Sequence, residues 1–140
     1  MIRKLFSPAS CFANATDWAS LILRLTFGIL MLSHGVPKLM KLMNGTMEFG
    51  DPIGIGVPAS LTLTVFAEVL CSVLLVIGLW TRLALIPLII TMAVAVFIVH
   101  INDGLETMES ALLYLLSYCA LFLLGSGKFS IDAVLKGKAF

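Results

Sequence analysis

The segment LALIPLIITMAVAVFIVHI, residues 83–101, decides the fold. It contains no Asp, Glu, Lys or Arg and only one proline, Pro87. As a helix it would rise about 28 Å at 1.5 Å per residue, close to the ~30 Å hydrocarbon core of a bilayer. It lacks the polar–apolar alternation of a barrel strand, and a backbone in lipid must satisfy its own hydrogen bonds, so a helix is the expected form. Three similar runs flank it. Residues 57–80 precede it and carry Glu68; residues 18–36 carry Arg24 and end at Pro37-Lys38; residues 110–125 come after it. Across all 140 residues, 60% are hydrophobic and 12% charged. Soluble domains run nearer half and a quarter, which argues against a disordered chain, a nucleic-acid-binding domain or an ordinary soluble enzyme. The sequence therefore predicts an all-α polytopic membrane protein, a four-helix transmembrane bundle occupying residues 1–140 as one domain.

Lysine and arginine set the expected orientation. With four spans, Arg3, Lys4, Arg82, Lys128, Lys136 and Lys138 share one side, and Lys38 and Lys41 the other. The positive-inside bias then puts both termini in the cytoplasm and the 37–56 and 102–109 connections outside. A short interfacial helix is expected around Lys38 to Met43. Residues 5–12 are too short and too broken by Ser7, Pro8 and Ser10 for a signal-peptide core, so the N-terminus reads as an uncleaved amphipathic lead-in. Cys11, Cys71 and Cys119 are an odd set without C-x-x-C or zinc spacing, so neither a disulfide framework nor a metal site is expected. Gly54-Ile55-Gly56 follows no strand and lacks a third glycine, so it is no nucleotide fingerprint.

Ionisable groups inside a bilayer are costly and point to function. Counting helix rise from the cytoplasmic face places Arg24 about 9 Å deep, His34 about 24 Å and His100 about 26 Å. Glu68 falls about 12–16 Å below the outer face, and Glu109 opens the fourth span. His34, Lys38, His100 and Glu109 thus converge in the outer half, with Glu68 beneath them. His34 and Lys38 share a face at i,i+4, and Met31 joins that stripe. Ser110, Tyr114, Ser117 and Tyr118 form another on the fourth span. Arg24 is expected either to reach back to the headgroups or to pair with Glu68 as a structural ion pair. Each group also has a plainer role: helix-terminal Glu109, headgroup anchor Lys38, packing tyrosines, histidines bonded to carbonyls.

Several pieces, taken in order, resemble the DoxX family of small bacterial membrane proteins. They are Arg24-Leu-Thr-Phe-Gly28, His34-Gly35-x-x-Lys38, Phe66-Ala-Glu68 and Leu75-x-x-x-Gly78-Leu-x-Thr-Arg82. His100, Glu109-Ser-Ala-Leu-Leu-Tyr114 and the tail Leu124-Gly-Ser-Gly-Lys-Phe-Ser-Ile-Asp132 complete the set. The resemblance covers roughly residues 18–135. Ser126 departs from the proline that family members often carry there. The resemblance implies a four-helix bundle in the bacterial inner membrane and links to respiratory and sulfur redox chemistry. Relatives include the small subunit of thiosulfate:quinone oxidoreductase, and some members associate with redox-defence enzymes.

The leading expectation is a membrane subunit supporting quinone-linked oxidoreductase or redox-homeostasis chemistry. His34 and His100 would hold or protonate a quinone, with Met31 and Tyr114 beside it. Lys38 would stabilise negative charge, and Glu68 and Glu109 would orient these groups or relay protons. No haem, flavin or iron–sulfur motif is present, so electrons would come from a partner or a bound cofactor. The alternative is a non-catalytic scaffold recruiting a redox or stress enzyme through the cytoplasmic tail, Lys128 to Phe140. A small transporter is a third reading; it lacks an internal repeat and would need a homo-oligomer to form a path. Besides the lipid bilayer, the partner classes are thus a redox enzyme or a second copy.

Overall fold

The computed structural model describes residues 14–137. It contains four long helices: α1 Ala15–Met43, α2 Val57–Ile77, α3 Thr81–Val99 and α4 Leu105–Leu124. A short α5, Ile131–Leu135, comes next. Each long helix has the length and apolarity to cross a membrane. Sequence neighbours pack side by side and α4 returns against α1, which closes an up-and-down bundle. Two ends can be distinguished. The tail end holds Ala15, the Gly78–Thr81 corner and residues 125–137; the loop end holds the 44–56 and 100–104 connections. The expected N-terminal lead-in falls largely outside the described residues.

The core is apolar and continuous, centred on Met31, Leu75, Leu85, Leu88, Tyr118 and Leu121, all at most 1% exposed. The outer surface is equally apolar: Leu123 is 81% exposed and Ile22, Ile90, Phe97 and Leu116 all exceed half. A surface of this kind is stable against lipid and not against water. Burial cannot drive helices together in lipid, so close backbone approach matters more. Gly28 and Gly35 provide it between α1 and α2. A Cβ on Gly28 would sit 2.6 Å from Val76 Cγ2, and one on Gly35 would sit 2.9 Å from both Glu68 Cβ and Val69 Cγ2.

The helix bounds differ from the expected ones for local reasons. Pro37 does not end α1, which runs on to Met43, so the expected interfacial helix is its continuation. A membrane helix tolerates the one backbone bond a proline removes. α2 stops at Ile77 because Gly78 takes a left-handed φ of 74° and caps it. α4 starts at Leu105, so Glu109 lies in its second turn rather than at its opening. Both α2 and α3 contain a π-helical stretch, Phe66–Cys71 and Ala95–Val99.

The tail folds back onto the bundle. Asp132 accepts hydrogen bonds from the Trp80 and Thr81 amides at 2.8 and 2.9 Å, capping the start of α3. Ser20 Oγ donates to Gly125 O at 2.7 Å, and the Lys128 amide donates to Asp17 at 2.9 Å. Burial alone would raise the Asp132 pKa. The amide bonds from Thr81 and Trp80, the Thr81 side chain and the charge of Lys136 outweigh it and hold the carboxyl below its usual range.

Arg24 is the most buried charged residue among the described residues, with no exposed surface. The expected Arg24–Glu68 ion pair does not form. Nη1 donates to Leu75 O and Val76 O at 3.3 and 3.2 Å, and Nη2 donates to Phe129 O at 2.5 Å. Leu75 and Val76 belong to the last turn of α2, whose carbonyls carry the negative end of the helix dipole; Leu75 O also accepts from the Gly78 amide at 3.2 Å. Glu68 lies seven residues earlier, about 10 Å up the helix by rise alone, beyond the reach of this side chain. Asp132 is the carboxylate whose charge reaches Arg24.

Candidate functional site

Polar groups gather in the loop half, in a cavity of about 270 Å³ between α1, α2, α3 and the 44–56 connection. Its polar lining is Lys38, Ser60, Thr64, Glu68, Thr91 and His100; its apolar lining includes Phe49, Ile53, Leu63, Ile90 and Val99. Leu63 and Ile90 are 55% and 58% exposed, so the cavity wall at α2 and α3 belongs to the apolar outer surface.

An ion pair forms the floor. Lys38 Nζ lies 2.7 and 2.8 Å from the two Glu68 oxygens. The Glu68 side chain is 3% exposed and that of Lys38 30%. Gly35 sits level with Glu68, one turn before Lys38. Helical side chains lean toward their own N-terminus, so Lys38 reaches back down onto the carboxylate. Lys38 Nζ also stands 5.8 Å from the centre of the Phe49 ring. Glu68 lies inside the π-helical stretch of α2, and the stretch in α3 ends immediately before His100. A π turn adds a residue to its loop and rotates the chain beyond it, and such turns concentrate at functional sites. Here two of them bring an acid and an imidazole to one cavity.

His100 is half-buried, and its Nδ1 lies 2.8 Å from Asp103 Oδ2. A neutral ring that donates from Nδ1 presents Nε2 as an acceptor; the protonated ring presents it as a donor. Asp51 closes the loop above. Its carboxylate accepts from the Ile55 and Gly56 amides and from Ser60 Oγ at 3.0, 2.8 and 2.8 Å. The Ser60 bond, then the Gly56 amide, hold its pKa below the usual carboxylate range.

The other expected site residues lie elsewhere. His34 is exposed and stands edge-on to Tyr114, with ring centres 5.8 Å apart, outside the cavity. His34 and His100 thus do not share a site. Glu109 is exposed and does not line the cavity, because the earlier start of α4 carries it past the helix opening. Met31 is core, 1% exposed. Tyr114 and Tyr118 are buried; Tyr118 Oη donates to Phe27 O at 3.3 Å, and Glu68 lies close enough for its charge to act on both phenols. Sequence reading missed Asp51, Ser60 and Asp103. Asp51-Pro52-Ile53-Gly54 is a recognisable turn signature, whereas nothing local marks Ser60.

The sequence model of the DoxX family matches residues 19–101, which include α2 and α3 entire with Lys38, Glu68 and His100. The chain belongs to the DoxX family. It is also 30% identical over 143 residues to "Uncharacterized membrane protein Rv3486" of Mycobacterium tuberculosis (strain ATCC 25618 / H37Rv). That alignment covers 84% of this chain and 81% of the relative. No solved structure matches. In this DoxX protein the family match ends at Ile101, so α4 and the tail that Arg24 and Asp132 hold in place lie outside it.

Proposed function

We propose that this DoxX protein is a subunit of the bacterial inner membrane that binds a quinone-type headgroup in the loop-half cavity and supports quinone-linked redox chemistry. The observation that carries this is the Lys38–Glu68 pair, its carboxylate buried, in a cavity that His100 also lines and whose α2 and α3 walls reach the apolar outer surface. A lipophilic carbonyl compound arriving along the bilayer would meet an apolar entrance and then three hydrogen-bonding groups. The volume lies near the lower end of small-molecule pockets and suits one ring, with its isoprenoid tail left in lipid. His100, in the protonated form with Nδ1 held by Asp103, would donate from Nε2 to one ring oxygen, and Lys38 would stabilise negative charge developing on the ring. Glu68 would hold Lys38 in place. Electrons would enter through a partner enzyme, since these side chains hold or move protons only.

Photolabelling with an azido-quinone tests this. Label on peptides from α2 and α3, competed away by unlabelled short-chain quinone, supports it. Uniform labelling of all lipid-facing helices, without competition, rejects it.

The scaffold reading keeps one observation of its own. Ile131, Val134 and Leu135 are 39%, 53% and 68% exposed on one side of α5, a stripe a partner enzyme would cover. The same helix anchors the bundle through Asp132, so its test is Leu135→Asp in a pull-down rather than removal of the tail. Retention of every co-purifying redox enzyme by that variant would count against a scaffold.

A further inference from the structure

The tail end carries a second and larger cleft, about 620 Å³, between the Trp80–Leu83 corner, the 124–128 turn and α5. Three cations line it, Arg82, Lys128 and Lys136, together with Asp17 and Asp132. Both carboxylates are engaged by the backbone: Asp17 by the Lys128 amide, Asp132 by the Trp80 and Thr81 amides. The cations are less fully engaged: Lys136 acts on Asp132 by its charge without forming an ion pair. Arg82 donates from Nε to Phe122 O at 3.1 Å, and Lys128 Nζ stands 5.1 Å from the centre of the Phe129 ring. Among the described residues none of the three forms an ion pair, since the pairs present are Lys38–Glu68 and His100–Asp103. The Ser126 and Gly127 amides, also in the wall, take part in no backbone hydrogen bond among the described residues.

Two tryptophans fix the level. Trp18 and Trp80 are 51% and 60% exposed at this same end. Exposed tryptophans of a membrane protein mark the headgroup layer. We infer that this cleft binds an anionic phosphate-bearing group at headgroup level. The Arg82 fork, the two ammonium groups and the two backbone amides would share its oxygens. The group belongs either to an anionic phospholipid or to a soluble phosphate; the chemistry is common to both. This is independent of the quinone proposal, which concerns the other end of the bundle.

The full chain in nanodiscs tests it in three arms: phosphatidylcholine alone, phosphatidylcholine with phosphatidylglycerol, and phosphatidylcholine with inorganic phosphate against chloride at equal ionic strength. The melting temperature should rise with phosphatidylglycerol. A rise with inorganic phosphate alone supports the same site and names a soluble source. The gain should vanish in Arg82→Gln/Lys128→Gln/Lys136→Gln and persist in Lys41→Gln, a cation of the opposite end. Each removed charge should weaken phosphatidylglycerol binding about fivefold, the effect of one basic residue at an anionic surface. If the triple variant does not fold, phosphatidylglycerol co-purifying with Lys128→Gln, counted by native mass spectrometry, replaces it; a loss supports the site and an unchanged count overturns it. Absence of any response in the parent, or an undiminished response in the triple variant, also overturns it.

Discussion

Replacing Arg24 by Met keeps most of the side-chain volume and removes the guanidinium. Three hydrogen bonds are lost, to Leu75 O, Val76 O and Phe129 O. Bonds to a charged group contribute about 1.5–3 kcal/mol each, and the two near 3.3 Å fall at or below that range. The loss should therefore be about 3–5 kcal/mol, with no discount for solvent because Arg24 is fully buried. The variant should unfold at lower detergent denaturant, and a cysteine at Ser130 should become reactive because Phe129 is no longer held. A double-mutant cycle separates this from an Arg24–Glu68 pair. Arg24→Met and Glu68→Gln should be additive within about 0.5 kcal/mol, as for sites without shared contacts. Lys38→Met and Glu68→Gln should couple by about 2 kcal/mol, since their bonds are short and Glu68 is buried. A coupling above about 1 kcal/mol between Arg24 and Glu68, or an Arg24→Met variant as stable as the parent, would refute the assignment.

Gly35→Ala should push Glu68 from Lys38, because the new Cβ would meet Glu68 Cβ and Val69 Cγ2 at 2.9 Å. Stability should fall by about 1–3 kcal/mol, the range for overpacking, and unfolding in detergent checks it. The depressed Asp132 pKa gives a pH dependence whose sign is fixed. The folded value lies below the unfolded one, so the contribution is complete above about pH 4 and is lost as pH falls through the folded value. Protease cutting of the tail should therefore rise only in that acidic window, and Asp132→Asn should show it at neutral pH. Cysteines at Met47 and Gly104 should label from the periplasm and one at Lys136 from the cytoplasm; the reverse pattern would contradict the orientation drawn from lysine and arginine.

The four helices were legible because a bilayer leaves a long uncharged run such as 83–101 one stable conformation. Their ends were less so: whether Pro37 stops α1 depends on what neighbouring helices hold in place. Counting helix rise says nothing of which way a side chain faces around its helix, so it did not separate His34 from His100. The π-helical stretches change the angular position of every later residue on the same helix, and no residue pattern in Phe66–Cys71 or Ala95–Val99 announces them. The partners of Arg24 were hidden for another reason. They are backbone carbonyls, which every residue has, so they leave no trace in side-chain chemistry. The pairing of Lys38 with Glu68 was accessible in principle: Gly35 marks where α1 and α2 come closest, and Lys38 is one turn beyond it.

Binding of a short-chain quinone to the purified protein, measured for four variants, tests the central claim most directly. Glu68→Gln and His100→Ala should weaken binding at least about tenfold, the equivalent of one lost charged hydrogen bond of about 1.4 kcal/mol. Asp103→Asn should weaken it less, since it acts only by orienting His100. His34→Ala should bind like the parent, because His34 stands against Tyr114 outside the cavity. Equal loss in His34→Ala and His100→Ala, or parental affinity in both Glu68→Gln and His100→Ala, would contradict a quinone site in this cavity.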